Sequence, residues 1–199
     1  MSASRYKADI AGGSLKLQES RVIASLLLNE VSEADWKQAI VIDNVLQKRS
    51  PGTARRQASL IRSRLITMGP ELWRLVQDGS KETGTHALFA AAIKHSSLLG
   101  DFLDQVVCEQ FRMFKRDLPR KLWFNYIERL HDQDPHMPQW ADSTTNKLGD
   151  SVYKILNEVG YILDTRTYLL QPVRISGDVM AYLRDHEERY VLKCIQVSL

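Results

Sequence analysis

The sequence predicts a mainly α-helical protein, a compact helical bundle that contains helix-turn-helix elements and a small C-terminal winged-helix-like β-hairpin. Apolar residues recur at helical spacing over most of the chain, and Gly and Pro residues separate these periodic segments. A pair of short β-prone runs lies near the C-terminus. With 199 residues, of which 44% are hydrophobic and 26% charged, the composition is that of a soluble globular protein.

Neither an export signal nor a membrane span is expected. The first residues contain no apolar stretch followed by a small-residue cleavage site. The longest apolar runs, 22–28 and 87–93, are too short to span a bilayer. Cys108 and Cys194 lie far apart without CxxC spacing, so we expect reduced packing thiols and a cytoplasmic location.

Residues 1–131 are predicted to form an N-terminal helical domain. Helical periodicity, with Ser or Thr caps and Gly-Pro breaks, predicts helices over 19–29, 32–48, 53–68, 71–77, 85–96, 100–117 and 120–131. The core face of the helix at 100–117 would consist of Phe102, Val106, Val107, Phe111 and Phe114.

A helix-turn-helix is predicted at about residues 34–68. The first helix would end near Lys48, Ser50-Pro51-Gly52 would form a tight turn, and Thr53 would cap the second helix. In this motif the second helix enters the major groove of DNA.

Positive charge is concentrated in that second helix. Residues 49–65 contain five arginines, and no acidic residue occurs between Asp43 and Glu71, although the formal net charge is only +3. On a helical wheel one stripe is apolar, namely Ala54, Ala58, Ile61, Leu65 and Met68. A separate face holds Arg55, Arg56, Ser59, Arg62 and Ser63, and Arg64 lies on the remaining flank. We predict phosphate contacts by Arg49, Arg55, Arg56, Arg62 and Arg64; the alternative is a surface helix whose arginines pair with the protein's own acids.

The C-terminal part is predicted to be a winged-helix-like region, 144–199, after a connector at 132–143. A helix over 143–159 would end at Gly160, and residues 161–163 and 167–170 would form a hairpin. A helix over 179–188 would follow, and the tail 190–199 fits either a strand or a helix. In this interpretation the helix start approaches DNA with Thr144, Thr145, Asn146 and Lys147, and Arg166 lies at the wing tip. A plain capped helix and hairpin is the alternative.

A third basic cluster consists of Arg112, Lys115, Arg116, Arg120 and Lys121. Nearby Phe114, Trp123 and Phe124 could stack on bases. Their helical spacing favours core packing instead.

No catalytic or metal-binding pattern stands out. His131, Asp132, Asp134 and His136 match no standard zinc or calcium spacing. The sequence has no Gly-rich phosphate loop, nucleophile elbow or HExxH motif. We therefore expect no enzyme activity, no cofactor and no small-molecule substrate.

An ordered set of segments extends over nearly the whole chain: YKADIAGGSL from Tyr6, ES at Glu19, IASLLL from Ile23, SPGTARR from Ser50, RL at Arg64, DFL at Asp101, Trp140, STTNKL from Ser143 and LNEVGY from Leu156. With this set the chain resembles the BrxA family of BREX bacteriophage-exclusion systems. The resemblance implies a helical protein with a NusB-like N-terminal part that binds DNA in phage defence without known catalysis. It does not supply a residue-level binding site.

The predicted function is therefore that of a DNA-binding accessory protein with double-stranded DNA as partner. Other BREX proteins are a second class of partner, so an adaptor role is the main alternative. RNA binding is a third hypothesis, favoured only by the NusB-like resemblance.

Overall fold

The protein is mainly helical, as predicted, in a computed structural model that describes residues 5–10 and 12–198. The α-helices are α1 (Leu17–Leu28), α2 (Glu33–Lys37), α3 (Pro51–Leu65), α4 (Pro70–Asp78), α5 (Lys81–His95), α6 (Ser97–Phe102), α7 (Cys108–Arg112), α8 (Lys121–Gln133), α9 (Asp142–Val159), α10 (Gly177–Asp185) and α11 (Arg189–Ile195). A π-helical turn, Gln38–Ile42, continues α2, and a second, Leu103–Val107, joins α6 to α7. None of these helices is long and apolar enough to cross a bilayer.

Helix α5 lies at the centre of the bundle. Its residues from Gly84 to Ile93 are all buried, so it has no solvent-facing side over that length. It contacts α1, α3, α4, α6, α9, α10 and α11. The buried apolar side chains of the N-terminal and C-terminal parts accordingly form one cluster around it. The division into two domains with a connector remains a prediction.

The turn between α2 and α3 differs from the predicted tight turn. The first helix ends at Ile42 with its π-helical turn, not near Lys48, and residues 43–50 form a loop. The Asn44 side chain closes this loop, because its amide donates to the Lys48 carbonyl and accepts from the Lys48 N–H, both at 2.9 Å. Asn competes in this way with helical backbone hydrogen bonds. The cap of α3 is Ser50, whose hydroxyl accepts the Thr53 N–H at 3.3 Å, rather than Thr53 itself.

The predicted C-terminal β-hairpin does not form. In the described part of the chain there are only two isolated antiparallel bridges, Ile162 with Leu170 and Asp117 with Leu169. The intervening turn is present, because Asp164 accepts the N–H groups of Arg166 and Thr167 at 2.7 and 2.8 Å. The winged-helix prediction was wrong: the two flanks of this turn meet at a single bridge, where the Leu163 N–H donates to the Leu169 carbonyl, and the second flank also pairs with the 116–118 segment. The tail is helical, as α11.

Polar contacts tie the segment before α1 to the bundle. The Asp101 carboxylate is 5% exposed and accepts hydrogen bonds from Arg5, Tyr6 and Tyr190, each at 2.9 Å. Further along the segment, the Leu15 N–H donates to Glu158 on α9. This segment has no helical periodicity, yet it covers parts of the bundle surface that the helical pattern of the sequence predicts to be exposed.

Candidate nucleic-acid interface

The N-terminal half of α3 presents exposed cations. Arg49, Arg55 and Arg56 are all exposed, while Ala54 and Ala58 are buried, as the wheel predicts. Within the described chain, no carboxylate lies at ion-pair distance from these three arginines. Among the residues that the structure describes, three of the five predicted arginines thus face outward without an ion-pair partner.

Arg62 is partly engaged by the protein itself. Its guanidinium donates to Glu33 at 2.7 Å and lies over the Trp36 ring, 4.4 Å from the ring centre. This hydrogen bond, together with the positive charge of Arg62, lowers the pKa of Glu33. Arg62 therefore joins α2 to α3 and offers less free charge than Arg55 or Arg56.

Arg64 does not lie on the candidate interface. It is 4% exposed, and its Nη1 donates to the Ser14 carbonyl at 3.0 Å. Burial lowers the pKa of Arg64 to about 10, while the charges of Asp9 and Glu158 oppose that shift. The helical wheel placed Arg64 on the remaining flank of the helix, and the segment before α1 covers that flank.

A groove separates α2 from α3 beside the exposed arginines. Its volume is about 270 Å³, and it is lined by Trp36, Lys37, Ile40, Val41, Arg55, Ser59 and Arg62. The wall is thus apolar and aromatic with a cationic rim. Ile42, which follows Val41 in the chain, is 66% exposed, an apolar side chain that no sequence argument singled out.

The predicted second contact surface lies at the start of α9. Asn146 and Lys147 are exposed and Thr145 is half-buried, with the Thr145 carbonyl accepting from Trp123 Nε1 at 3.0 Å. The start of α8 is adjacent, because Arg120 lies 2.6 Å from Asp150 on α9. Arg166 is exposed in the Asp164 turn.

The structure brings the third basic cluster next to that turn. The Leu118 N–H donates to the Tyr168 carbonyl, and the Leu170 N–H donates to the Arg116 carbonyl, both at 2.9 Å. In the 112–117 segment, α7 ends at Arg112, so Phe114 lies beyond the helix and is 92% exposed. Trp123, in contrast, is fully buried. The core-packing prediction was right for Trp123 and wrong for Phe114.

The described residues offer no site for a metal ion. No group of three or more His, Cys, Asp or Glu side chains converges among them. In the connector the His136 N–H donates to Asp134 in a local turn, and His131, near the end of α8, lies against the Trp140 ring. Cys108 and Cys194 are free thiols, as predicted.

Comparison with known proteins points to one family. The model of the BrxA family matches residues 4–187. The BREX protein BrxA of Paramagnetospirillum magneticum (strain ATCC 700264 / AMB-1) is 64% identical over 199 residues, covering 100% of both chains. The BREX protein BrxA of Escherichia coli O9:H4 (strain HS) is 39% identical over 179 residues, covering 88% of this chain and 83% of that protein.

A solved structure shares the fold. It is the crystal structure of an uncharacterized protein from Magnetospirillum magneticum, which superposes with a TM-score of 0.92 at 62% sequence identity. The superposition covers 98% of this chain and 100% of that one.

Proposed function

Since the chain belongs to the BrxA family of BREX phage-defence systems, we propose that it is a DNA-binding accessory protein that grips duplex phosphates through α3. Arg49, Arg55 and Arg56 make the main contacts, and Arg62 adds a weaker one from the groove edge. The protein has no catalytic role of its own in this proposal. Arg64, predicted from the sequence as a contact, supports the fold instead.

The observation that supports this proposal most is the unpaired charge on the first half of α3. A solvated helix usually gains from Glu residues spaced three or four positions from Lys or Arg, whereas like charges repel. Helix α3 contains no acidic residue, yet Arg55 and Arg56 are exposed and lack an ion-pair partner among the described residues. A phosphate backbone would supply the missing countercharge.

The start of α3 is open to a phosphate as well. Ser50 caps the helix, Pro51 occupies its first turn, and a Cβ added at Gly52 would meet no atom within 4 Å. Because Pro51 has no N–H and the Thr53 N–H is bonded to Ser50, it is chiefly the helix dipole that favours an anion here. Arg49 precedes this turn and Arg55 follows it, so one phosphate path along the helix start meets both.

Thr145, Asn146, Lys147 and Arg166 form the secondary contact surface of this proposal. Three of them are exposed, and Lys147 and Arg166 add cations. The hydrogen bond from Asn146 Nδ2 to the Asp142 carbonyl orients its side chain at the helix start. We expect these residues to contribute to affinity with little sequence preference, since phosphate contacts carry no base information.

Mobility-shift titration of a duplex with the double variant Arg55→Glu, Arg56→Glu tests the proposal. Each lost phosphate contact lowers the slope of log affinity against log salt by about 0.9, so we expect the slope to fall by about two and affinity by at least about tenfold. The matched control is Arg74→Glu, Arg184→Glu, which makes the same charge change at exposed arginines outside α3. Equal affinity of a folded α3 variant and the wild type would refute the assignment, and single-stranded RNA in parallel tests the RNA alternative.

A second candidate function is an adaptor that binds another BREX protein. The groove between α2 and α3 favours it, because an apolar pocket with a cationic rim fits an acidic segment carrying an apolar anchor. Co-purification with the other proteins of the same BREX system, comparing wild type with Val41→Glu in the groove wall, separates the roles. Loss of a partner with unchanged DNA affinity would identify the groove as a protein-binding site.

A further inference from the structure

Phe114 is exposed to an unusual degree for an aromatic side chain. It is 92% exposed, and Met113 beside it is 52% exposed. It belongs neither to the buried core cluster nor to the partly buried residues packed against that cluster. Phenylalanine gains its stabilising effect by burial, which Phe114 forgoes.

The backbone at Phe114 favours another residue. Phe114 and Lys115 close a Schellman motif at the end of α7, because their N–H groups donate to the carbonyls of Phe111 and Gln110, both at 3.0 Å. The residue at this position takes a left-handed conformation, and glycine is the usual choice. Phe114 adopts it with φ of 52°. Neither burial nor backbone preference accounts for a phenylalanine here, and such strain points to a function.

The segment that carries Phe114 is fixed by its neighbours. The Schellman hydrogen bonds hold its N-terminal side to α7. On its C-terminal side, Asp117 bridges to Leu169, and the Arg116 carbonyl accepts the Leu170 N–H. A rigid aromatic side chain that projects from an anchored turn loses little conformational entropy when a ligand covers it.

The charged groups around Phe114 indicate an anionic ligand. Arg112, Lys115 and Arg116 are exposed, and over the described residues none of them is in an ion pair. Asp117 is the single acid between positions 112 and 121. A projecting aromatic ring flanked by cations matches a nucleic-acid strand, in which apolar base faces lie beside phosphates.

We propose that Phe114 inserts between or stacks on bases of the bound DNA, while Arg112, Lys115 and Arg116 contact the flanking phosphates. Apolar side chains of this kind act as wedges that partly unstack a base step and kink the duplex. This inference rests on the proposed DNA binding, but it concerns a surface separate from α3.

Fluorescence with 2-aminopurine tests the wedge. The probe is a duplex that carries one unpaired 2-aminopurine, where unstacking costs least, compared with the fully paired duplex. We expect wild type to change the fluorescence and to prefer the bulged duplex. We expect Phe114→Gly to abolish both effects and to lower affinity for the bulged duplex about tenfold, the size of one lost stacking contact. For Phe114→Gly the slope of log affinity against log salt should stay unchanged, because no phosphate contact is lost.

Control variants keep the test interpretable. Phe114→Gly suits the left-handed backbone, so the variant folds, and Phe114→Trp retains stacking and should behave like wild type. Met113→Ser removes the neighbouring exposed side chain and should leave the fluorescence response intact.

The outcomes separate this inference from the proposed function. Wild-type binding to DNA with no difference for Phe114→Gly would overturn the wedge and leave the α3 proposal standing. Absence of any wild-type DNA binding would overturn both. Phe114-dependent sedimentation with phosphatidylcholine–phosphatidylglycerol vesicles, alongside unchanged DNA affinity, would assign the residue to a membrane surface and reject the wedge.

Discussion

Replacing Arg64 with methionine should destabilise the protein without weakening its DNA affinity. Arg64 lies on the same helix as Arg55 and Arg56 but is 4% exposed and donates to the Ser14 carbonyl. We expect Arg64→Met to lower the free energy of unfolding by about 2 kcal/mol, because the buried Ser14 carbonyl loses its donor. The folded variant should bind duplex DNA like wild type, because no phosphate can reach this position.

Two opposing contributions set that magnitude. Burial lowers the pKa of Arg64 from 12.5 to about 10, so removing the charged guanidinium relieves part of a desolvation cost. Methionine nearly conserves length, so a cavity contributes little. The variant leaves the buried Ser14 carbonyl without its charged donor, however. A buried acceptor without its donor costs about 1–3 kcal/mol, and this cost sets the expected net loss at about 2 kcal/mol.

Urea denaturation and mobility-shift titration of the same preparations provide the assay. Arg56→Met is the matched control on the exposed side of α3; its unfolding free energy should stay within about 0.5 kcal/mol of wild type while its DNA affinity falls. A stable Arg64→Met protein with weakened DNA binding would refute the assignment, because it would require Arg64 to face the ligand.

Three further predictions address other parts of the molecule. Phe114→Gly should raise the free energy of unfolding by about 1 kcal/mol, because it relieves a left-handed phenylalanine that buries almost nothing, and scanning calorimetry should show Tm about 2–4 °C higher; a lower Tm would mean that Phe114 packs against the protein. Asp101→Ala should lower the free energy of unfolding, measured by urea denaturation, by about 3 kcal/mol, because it removes the acceptor of Tyr6 and Tyr190. Asp101→Asn should lower it less, and an equal decrease for the two variants would argue against these hydrogen bonds. The backbone N–H groups of Thr167 and Arg166 lower the pKa of Asp164 from 3.8, so they stabilise the turn above the unfolded pKa and this effect is lost as pH falls through the lower folded pKa. NMR titration of the Asp164 carboxyl group should give a midpoint below 3.8, and a midpoint above it would contradict the turn geometry.

Hydrophobic periodicity predicted helices well where one helix face is buried and where a Gly or Pro residue marks the helix end or start. Gly160, for example, ends α9 with φ of 98°, as its position after an apolar stripe predicts. Pro70 begins α4 in the same predictable way. These features depend on residues near each other in the chain, so one sequence contains the necessary information.

Helix ends set by local side-chain hydrogen bonds were harder to predict. Asn44 ends the α2 region early by bonding both backbone groups of Lys48, and the resulting loop replaces the expected tight turn. Phe114 continued the apolar pattern of its helix, yet the Schellman motif after Arg112 turns it outward. In both places periodicity favours a longer helix, while a local hydrogen bond ends it.

The predicted hairpin is reduced to one bridge. Residues 161–170 have β-prone composition and a sound turn at Asp164, and Leu170 bridges Ile162, but the same flank also pairs with the distant 116–118 segment. Strand pairing depends on which distant segment lies alongside, and composition does not specify that neighbour.

By itself the sequence determined that this protein is helical, that it belongs with the BrxA proteins, and that arginines accumulate after Ser50-Pro51-Gly52. Only the tertiary structure decided which arginines stay free. Arg55 and Arg56 face outward, Arg62 is held by Glu33 and Trp36, and Arg64 is buried under the segment before α1. The physical reason is that residues far away in the chain decide whether a charged side chain is solvated or buried, and a helical wheel carries no information about those residues.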